Sequence, residues 1–137
     1  KAKVVQQKLQ TNQHPPIVAA DTVVILNNEI LGKPIDRHHA IEMLQKLSGK
    51  QHLVITGVVI FFEGKEIAFA ETTVVTFHLL TYEQIIFYVD NYKPYDKAGA
   101  YAIQEWIGVV GIESISGDFY NVMGLPVSKV VQQLRLL

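Results

Sequence analysis

The chain has no cysteine among its 137 residues, which rules out disulfides, thiolate-bound zinc and thiol nucleophiles. That absence is compatible with a reducing cytoplasm, the expected location. No apolar run approaches the roughly 20 residues needed to span a bilayer, and no signal peptide is visible, so no membrane association is expected. Neither sign of charge dominates. Twelve basic and thirteen acidic side chains leave a formal charge of −1, whereas a protein that grips a nucleic-acid polymer needs a basic face. A small nucleotide stays open as a ligand, because a few local lysines would serve it. No serine sits on a strand-to-helix elbow and no Walker-type phosphate loop is present. The histidines His14, His38, His39, His52 and His78 do not form a metal set. His38 and His39 are helical neighbours that point about 100° apart, and all five read as structural or solvated. There is no internal repeat, low-complexity tract or linker, and the length fits one domain. With 49% apolar and 18% charged residues, the composition is that of an ordinary soluble protein able to build one real core.

What is present reads as an alternation of strands and helices. Lys1 to Leu9 has helical spacing, broken by Thr11 to Pro16. The chain begins at Lys1 in what reads as mid-helix, so upstream sequence is expected. Ile17–Ala20 and Val23–Leu26 are strand-like, and Asn27-Asn28 suits a tight turn into Glu29–Leu31. Gly32-Lys33-Pro34 is a loop. Asp36 can cap a helix running to about Leu47, with Gly49 stopping it. His52–Phe62 and Ile67–Phe77 form two long strands joined through Glu63-Gly64-Lys65. Thr81 and Gln84 form a capping box for a helix through about Asn91. Lys93–Ala100 is a loop, Val109–Ile115 a further strand, and Gly117–Gly124 another loop. Pro126 opens a last helix whose apolar face is Val127, Val130, Val131 and Leu134.

Asp21 stands out, because it closes the run IVAAD and precedes TVVIL. A carboxylate is therefore expected inside a core segment, which costs several kcal/mol or more unless a cation or donor meets it. It can be a general base or a ligand for a hard cation such as magnesium or manganese, or a turn-former paired with Thr22. Lys33, between Gly32 and Pro34, could meet a phosphate oxygen or be a solvated loop lysine. The segment from Asp96 to Gln104 packs an opposite-charge pair, small residues and an amide into nine positions. Small residues admit a ligand close to the backbone, and the Gln104 amide offers the donor and acceptor that match a nucleobase edge. The bland alternative is a surface ion pair, Asp96 with Lys97, followed by an ordinary strand. Tyr120-Asn121 reads mainly as a turn-shaping element. Together these residues suggest a polar cleft on an α/β scaffold that prefers an anionic, metal-accompanied substrate.

In order, AADTVVIL, LGKP, the helix ending KLSG, ETTVVTF, DKAGAYAIQ and YNVMGLP resemble the Maf family of nucleoside triphosphate pyrophosphatases over nearly the whole chain. The resemblance implies an α/β, inosine triphosphatase-like fold, with a long mixed β-sheet flanked by helices and a cleft between two lobes. It implies cleavage of a nucleoside triphosphate to the monophosphate and pyrophosphate with a divalent cation, magnesium or manganese. DKAGAYAIQ looks like the branch that acts on dTTP and UTP. Asp21 matches the family's catalytic proton acceptor, Thr22 and Gln104 match positions linked to substrate choice, and Lys33 matches a phosphate-contacting lysine. Lys1, in KAKVV, looks like a helical lysine that also serves the site. Ala102 and Glu105 stand where the family usually has glycine, Trp106 is bulky for that turn, and GDFYN replaces a more typical GSYxN. The family's N-terminal strand, its SxSPRR phosphate loop and a metal-binding Glu would precede Lys1. Residues 1–137 are thus expected to form a single Maf-like domain without them. The resemblance also implies a homodimer. The family's link to septum formation leaves a second reading, a nucleotide-binding or cell-division regulator without turnover.

Overall fold

Five strands make one sheet in the order β2-β1-β3-β4-β5: β1 Ile17–Leu26, β2 Glu29–Leu31, β3 Gln51–Phe62, β4 Lys65–Phe77 and β5 Ile112–Ser116. The computed structural model describes residues 15–137, so Lys1 and the helix expected over Lys1–Leu9 lie outside the described residues. Two-residue links set two of the pairings, β1 with β2 and β3 with β4. Asn27 and Asn28 (φ 50° and 66°) and Glu63 and Gly64 (φ 48° and 77°) all adopt the left-handed backbone that tight hairpins demand. Lys65 is already in β4, opposite Phe62. All four pairings are antiparallel, so the pairing of mixed direction implied by the resemblance is not seen among the described residues.

Two expectations about the strands also change. Ile17–Ala20 and Val23–Leu26 are one continuous strand, with Asp21 opposite Gly57 and Thr22 opposite Thr56. Asp21 is therefore not buried in a core segment. Side chains alternate along β1, so Asp21 shares a face with Val23 and Ile25 rather than the covered face with Val24 and Leu26, and it is exposed. Its cross-strand neighbour Gly57 contributes no side chain to cover it. The second change is at Val109–Ile115, where a helix, Trp106–Gly111, runs directly into β5. The β-branched pair Val109-Val110 favours a strand locally, but Ile107 buries completely and Gly108 lies against Ile103. A Cβ at Gly108 would overlap the Ile103 carbonyl oxygen, so this turn requires glycine.

The helices are α1 Arg37–Leu47, α2 Tyr82–Tyr92, α3 Trp106–Gly111, α4 Phe119–Val122 and α5 Val127–Arg135. Asp36 caps α1 by accepting from the His39 amide at 2.8 Å, and Thr81 with Gln84 forms the capping box of α2. α4 is a short turn inside the expected Gly117–Gly124 loop, capped by Asp118, whose Oδ1 accepts from the Tyr120 and Asn121 amides. On α5 only Val130 is buried. Val127 and Val131 remain exposed, so its apolar face is narrower than its spacing suggests.

The covered sheet face carries two separate apolar clusters. One joins Val24, Val54, Val75 and Phe77 to α1 and α2 through Leu44, Leu47, Ile85 and Val89. The other joins Val58 and Ile60 to Leu125 and to Val130 of α5. Between them runs a polar seam. Thr22 and Thr56 share a 2.9 Å hydrogen bond across β1 and β3. Thr56, Thr73 and Asn121 are fully buried, and buried polar groups are tolerated only when partnered. The Asn121 Nδ2 donates toward Val54 O, Glu71 O and Thr73 Oγ1 at 3.0–3.2 Å, and Thr73 donates to Asp118 O at 3.0 Å. The seam fastens the 117–124 segment across β3 and β4.

Candidate active site

A cleft of about 210 Å³ opens where β1 meets three loops. From β1 come Asp21, Thr22 and Val24, and from the loop after β2 comes Lys33. The loop after α2 supplies Asp96, Lys97 and Gln104, and the seam-held segment supplies Val122, Met123 and Gly124. Six of the seven candidate residues thus line one cleft although up to 83 positions separate them (Gln104 − Asp21). The seventh, Lys1, lies outside the described residues. Of Tyr120 and Asn121, the first is exposed and the second buried in the seam, so Asn121 acts as the turn-shaping residue expected.

The loop after α2 is held by its backbone. The Gly99 amide donates to Gly32 O at 3.1 Å, which ties this loop to the one carrying Lys33. Gly99 has φ 72° and a Cβ there would press on Val24, while Ala100, fully buried, is also left-handed at φ 65°. A non-glycine residue in that region stores backbone strain, here inside a segment that lines the cleft. Asp96 and Lys97 form the anticipated ion pair at 3.3 Å. Being exposed, it contributes little to stability and leaves both groups within reach of a ligand. The Glu105 carboxylate accepts from Tyr88 Oη at 2.6 Å, and Tyr88 Oη accepts from the Ala102 amide at 3.0 Å. Burial, reinforced by Glu105, pushes the Tyr88 phenol well above its ordinary pKa and keeps it a donor. Glu105, the residue next to Gln104, is thus tied through Tyr88 to the backbone at Ala102.

Tyr101 forms part of the cleft floor and its hydroxyl meets His52 Nε2 at 2.6 Å. His52 is 2% exposed, and burial lowers its pKa from 6.5 to about 4, so the ring is neutral at neutral pH. Its structural reading holds. Among the described residues no three His, Cys, Asp or Glu side chains gather as a metal cluster. Asp21 is exposed and pairs with no cation among the described residues. That suits a hard divalent ion that takes one or two protein carboxylates and completes its shell with water and phosphate oxygens.

Val54 and Met123 also line the cleft, and neither carries a signal in the sequence that marks it. Val54 looks like any core strand residue. Met123 is an exposed apolar side chain on a Gly-bounded turn, a signal that becomes meaningful only once the turn is seen beside β1.

Residues 1–137 match the family model described as Maf-like protein. The chain is 51% identical over 121 residues to a protein of Bacteroides fragilis (strain YCH46) named dTTP/UTP pyrophosphatase, covering 88% of this chain and 63% of that one. It is 52% identical over 119 residues to a protein of the same name from Cytophaga hutchinsonii, covering 87% and 55%. A third protein of that name, from Porphyromonas gingivalis (strain W83), is 47% identical over 135 residues, covering 98% and 68%. The chain thus spans less than two thirds of the length of the first two. With a family match over its full length and these relatives, the chain belongs to the Maf family.

Proposed function

We propose that the protein hydrolyses the α–β phosphoanhydride of dTTP and UTP, releasing the monophosphate and pyrophosphate. The observation that carries this reading is the convergence of a carboxylate, two lysines and an amide on one cleft, in a chain whose relatives are named for that reaction. Asp21 accepts a proton from the water that attacks the α-phosphorus. Lys33 acts as a point charge on the phosphates, and Lys97, oriented by Asp96, is a second. The Gln104 amide offers a donor and an acceptor side by side, which fits the alternating edge of uracil or thymine, with Thr22 beside it. A divalent cation, magnesium or manganese, would be held by an oxygen of Asp21 and would neutralise charge on the phosphate oxygens. No transmembrane candidate is found among the described helices, and the reaction is proposed to occur in the cytoplasm on free nucleotides.

A nucleotide panel with manganese tests the reading, with pyrophosphate release and calorimetric binding measured on the same samples. Release from UTP and dTTP above other nucleotides is expected. Binding of UTP with no pyrophosphate released would instead identify a nucleotide-binding regulator. Lys33→Ala is expected to raise KM for UTP more than it lowers kcat.

A further inference from the structure

The seam beneath the cleft sets a chemical property of the cleft itself. Thr22 is part-buried and lines the cleft, while Thr56 is its cross-strand partner on β3 and is fully buried. Each hydroxyl has one proton and can accept through its lone pairs. The contacts of the two hydroxyls allow few arrangements. The two hydroxyls meet at 2.9 Å, so one of them donates to the other. Thr56 also reaches Asn121 O at 3.4 Å, and Thr22 reaches Gly124 O at 3.4 Å. If Thr22 donates to Thr56, Thr56 is free to donate to Asn121 O. If Thr56 donates to Thr22, Thr22 donates to Gly124 O. Both arrangements that make two hydrogen bonds spend the single Thr22 proton inside the protein. What remains toward the cleft is a lone pair.

We propose that Thr56 is a specificity-positioning residue: by holding the Thr22 proton inward it makes Thr22 an acceptor, which favours the imino N3–H of uracil or thymine over the bare N3 acceptor of cytosine. The proposal rests on the reading of the cleft as a nucleotide site. Asn121 supports it from behind, because its backbone oxygen is the acceptor that lets Thr56 turn away from Thr22, and its side chain is fixed to both central strands. Without the Thr56 hydroxyl the 2.9 Å arrangement is lost, and the acceptor that remains for Thr22 among the described residues is Gly124 O at 3.4 Å, near the outer limit for a hydrogen bond. The Thr22 proton is then available to a ligand acceptor, and the bias against cytosine weakens.

The test is pyrophosphate release by the full-length protein with UTP and with CTP, comparing the parent with T56V, T56A and T56S. The parent is expected to prefer UTP. In T56V and T56A the ratio of kcat/KM for UTP to that for CTP should fall about fivefold or more, the scale of one net hydrogen bond. T56S restores the hydroxyl and should restore the ratio. A purely structural role for Thr56 would slow both substrates alike, so an unchanged ratio in T56V, or T56S behaving as T56V does, overturns the proposal. T56A adds no methyl group and carries the comparison if T56V melts below the assay temperature. A parent that releases no pyrophosphate from UTP fails the nucleotide reading itself and removes the basis of this inference, a result distinct from an active parent whose ratio does not respond.

Discussion

Asn121→Ala is expected to destabilise the protein by about 2–4 kcal/mol. The Asn121 Nδ2 has two protons facing three acceptors: Val54 O at 3.2 Å, Glu71 O at 3.1 Å and Thr73 Oγ1 at 3.0 Å. Two full hydrogen bonds are therefore lost, each worth about 1 kcal/mol net, and a cavity is left where the buried amide stood. The residue is fully buried, so water cannot replace the amide without entering the seam. For a chain of this size the loss corresponds to a fall in Tm of roughly 10 °C. Urea unfolding measures it directly, as a lower midpoint at unchanged m. Asn121→Asp sharpens the test by keeping the shape and replacing the donor with a carboxylate. Facing carbonyl oxygens, that carboxyl has a folded pKa raised above the ordinary value of about 3.9. The folded state then binds more protons than the unfolded state above that value. Stability relative to the parent should fall as pH rises from about 4 until the folded pKa is passed. A loss under about 0.5 kcal/mol in Asn121→Ala, the range of an ordinary surface change, would refute the idea that the seam fastens this segment, as would a pH-independent Asn121→Asp.

Two further outcomes follow from the packing. His52 has a folded pKa lowered from 6.5 to about 4, so its contribution is fully present above pH 6.5 and is lost as pH falls through that window. The parent should lose up to about 3 kcal/mol between pH 6.5 and 4 from this group, and His52→Phe should flatten that slope in urea titrations. Gly108→Ala should fail to reach the native fold or melt far below the parent by circular dichroism, because the new Cβ meets the Ile103 carbonyl oxygen; a Tm within a few degrees of the parent's would show that the α3 turn has room.

The elements that were legible in the sequence have local causes. Asn27-Asn28 and Gly64 bring their own tolerance of left-handed backbone, and Asp36 and Thr81 find their capping partners three residues away. The Asp96–Gln104 segment was legible because small residues between charged and amide groups have little to do in an ordinary core. What was not legible depends on distant partners. Val109-Val110 looks like strand until Ile103 and Ile107 fix the turn around it. Asp21 looks buried by its apolar neighbours in sequence, yet its cross-strand neighbour is Gly57, 36 positions on (57 − 21). Thr56 gave no signal and Asn121 read only as part of a turn, since the contacts that build the seam join segments at least 34 positions apart.

The most direct measurement compares Asp21→Asn with the parent in the full-length protein, as manganese-dependent release of pyrophosphate from UTP and dTTP. Asn keeps the size and hydrogen-bonding reach of the side chain but can neither take a proton from water nor carry charge to a cation. Turnover is expected to drop about 100-fold or more with an unchanged melting temperature. Equal rates in the two proteins would contradict a catalytic role for the carboxylate at position 21.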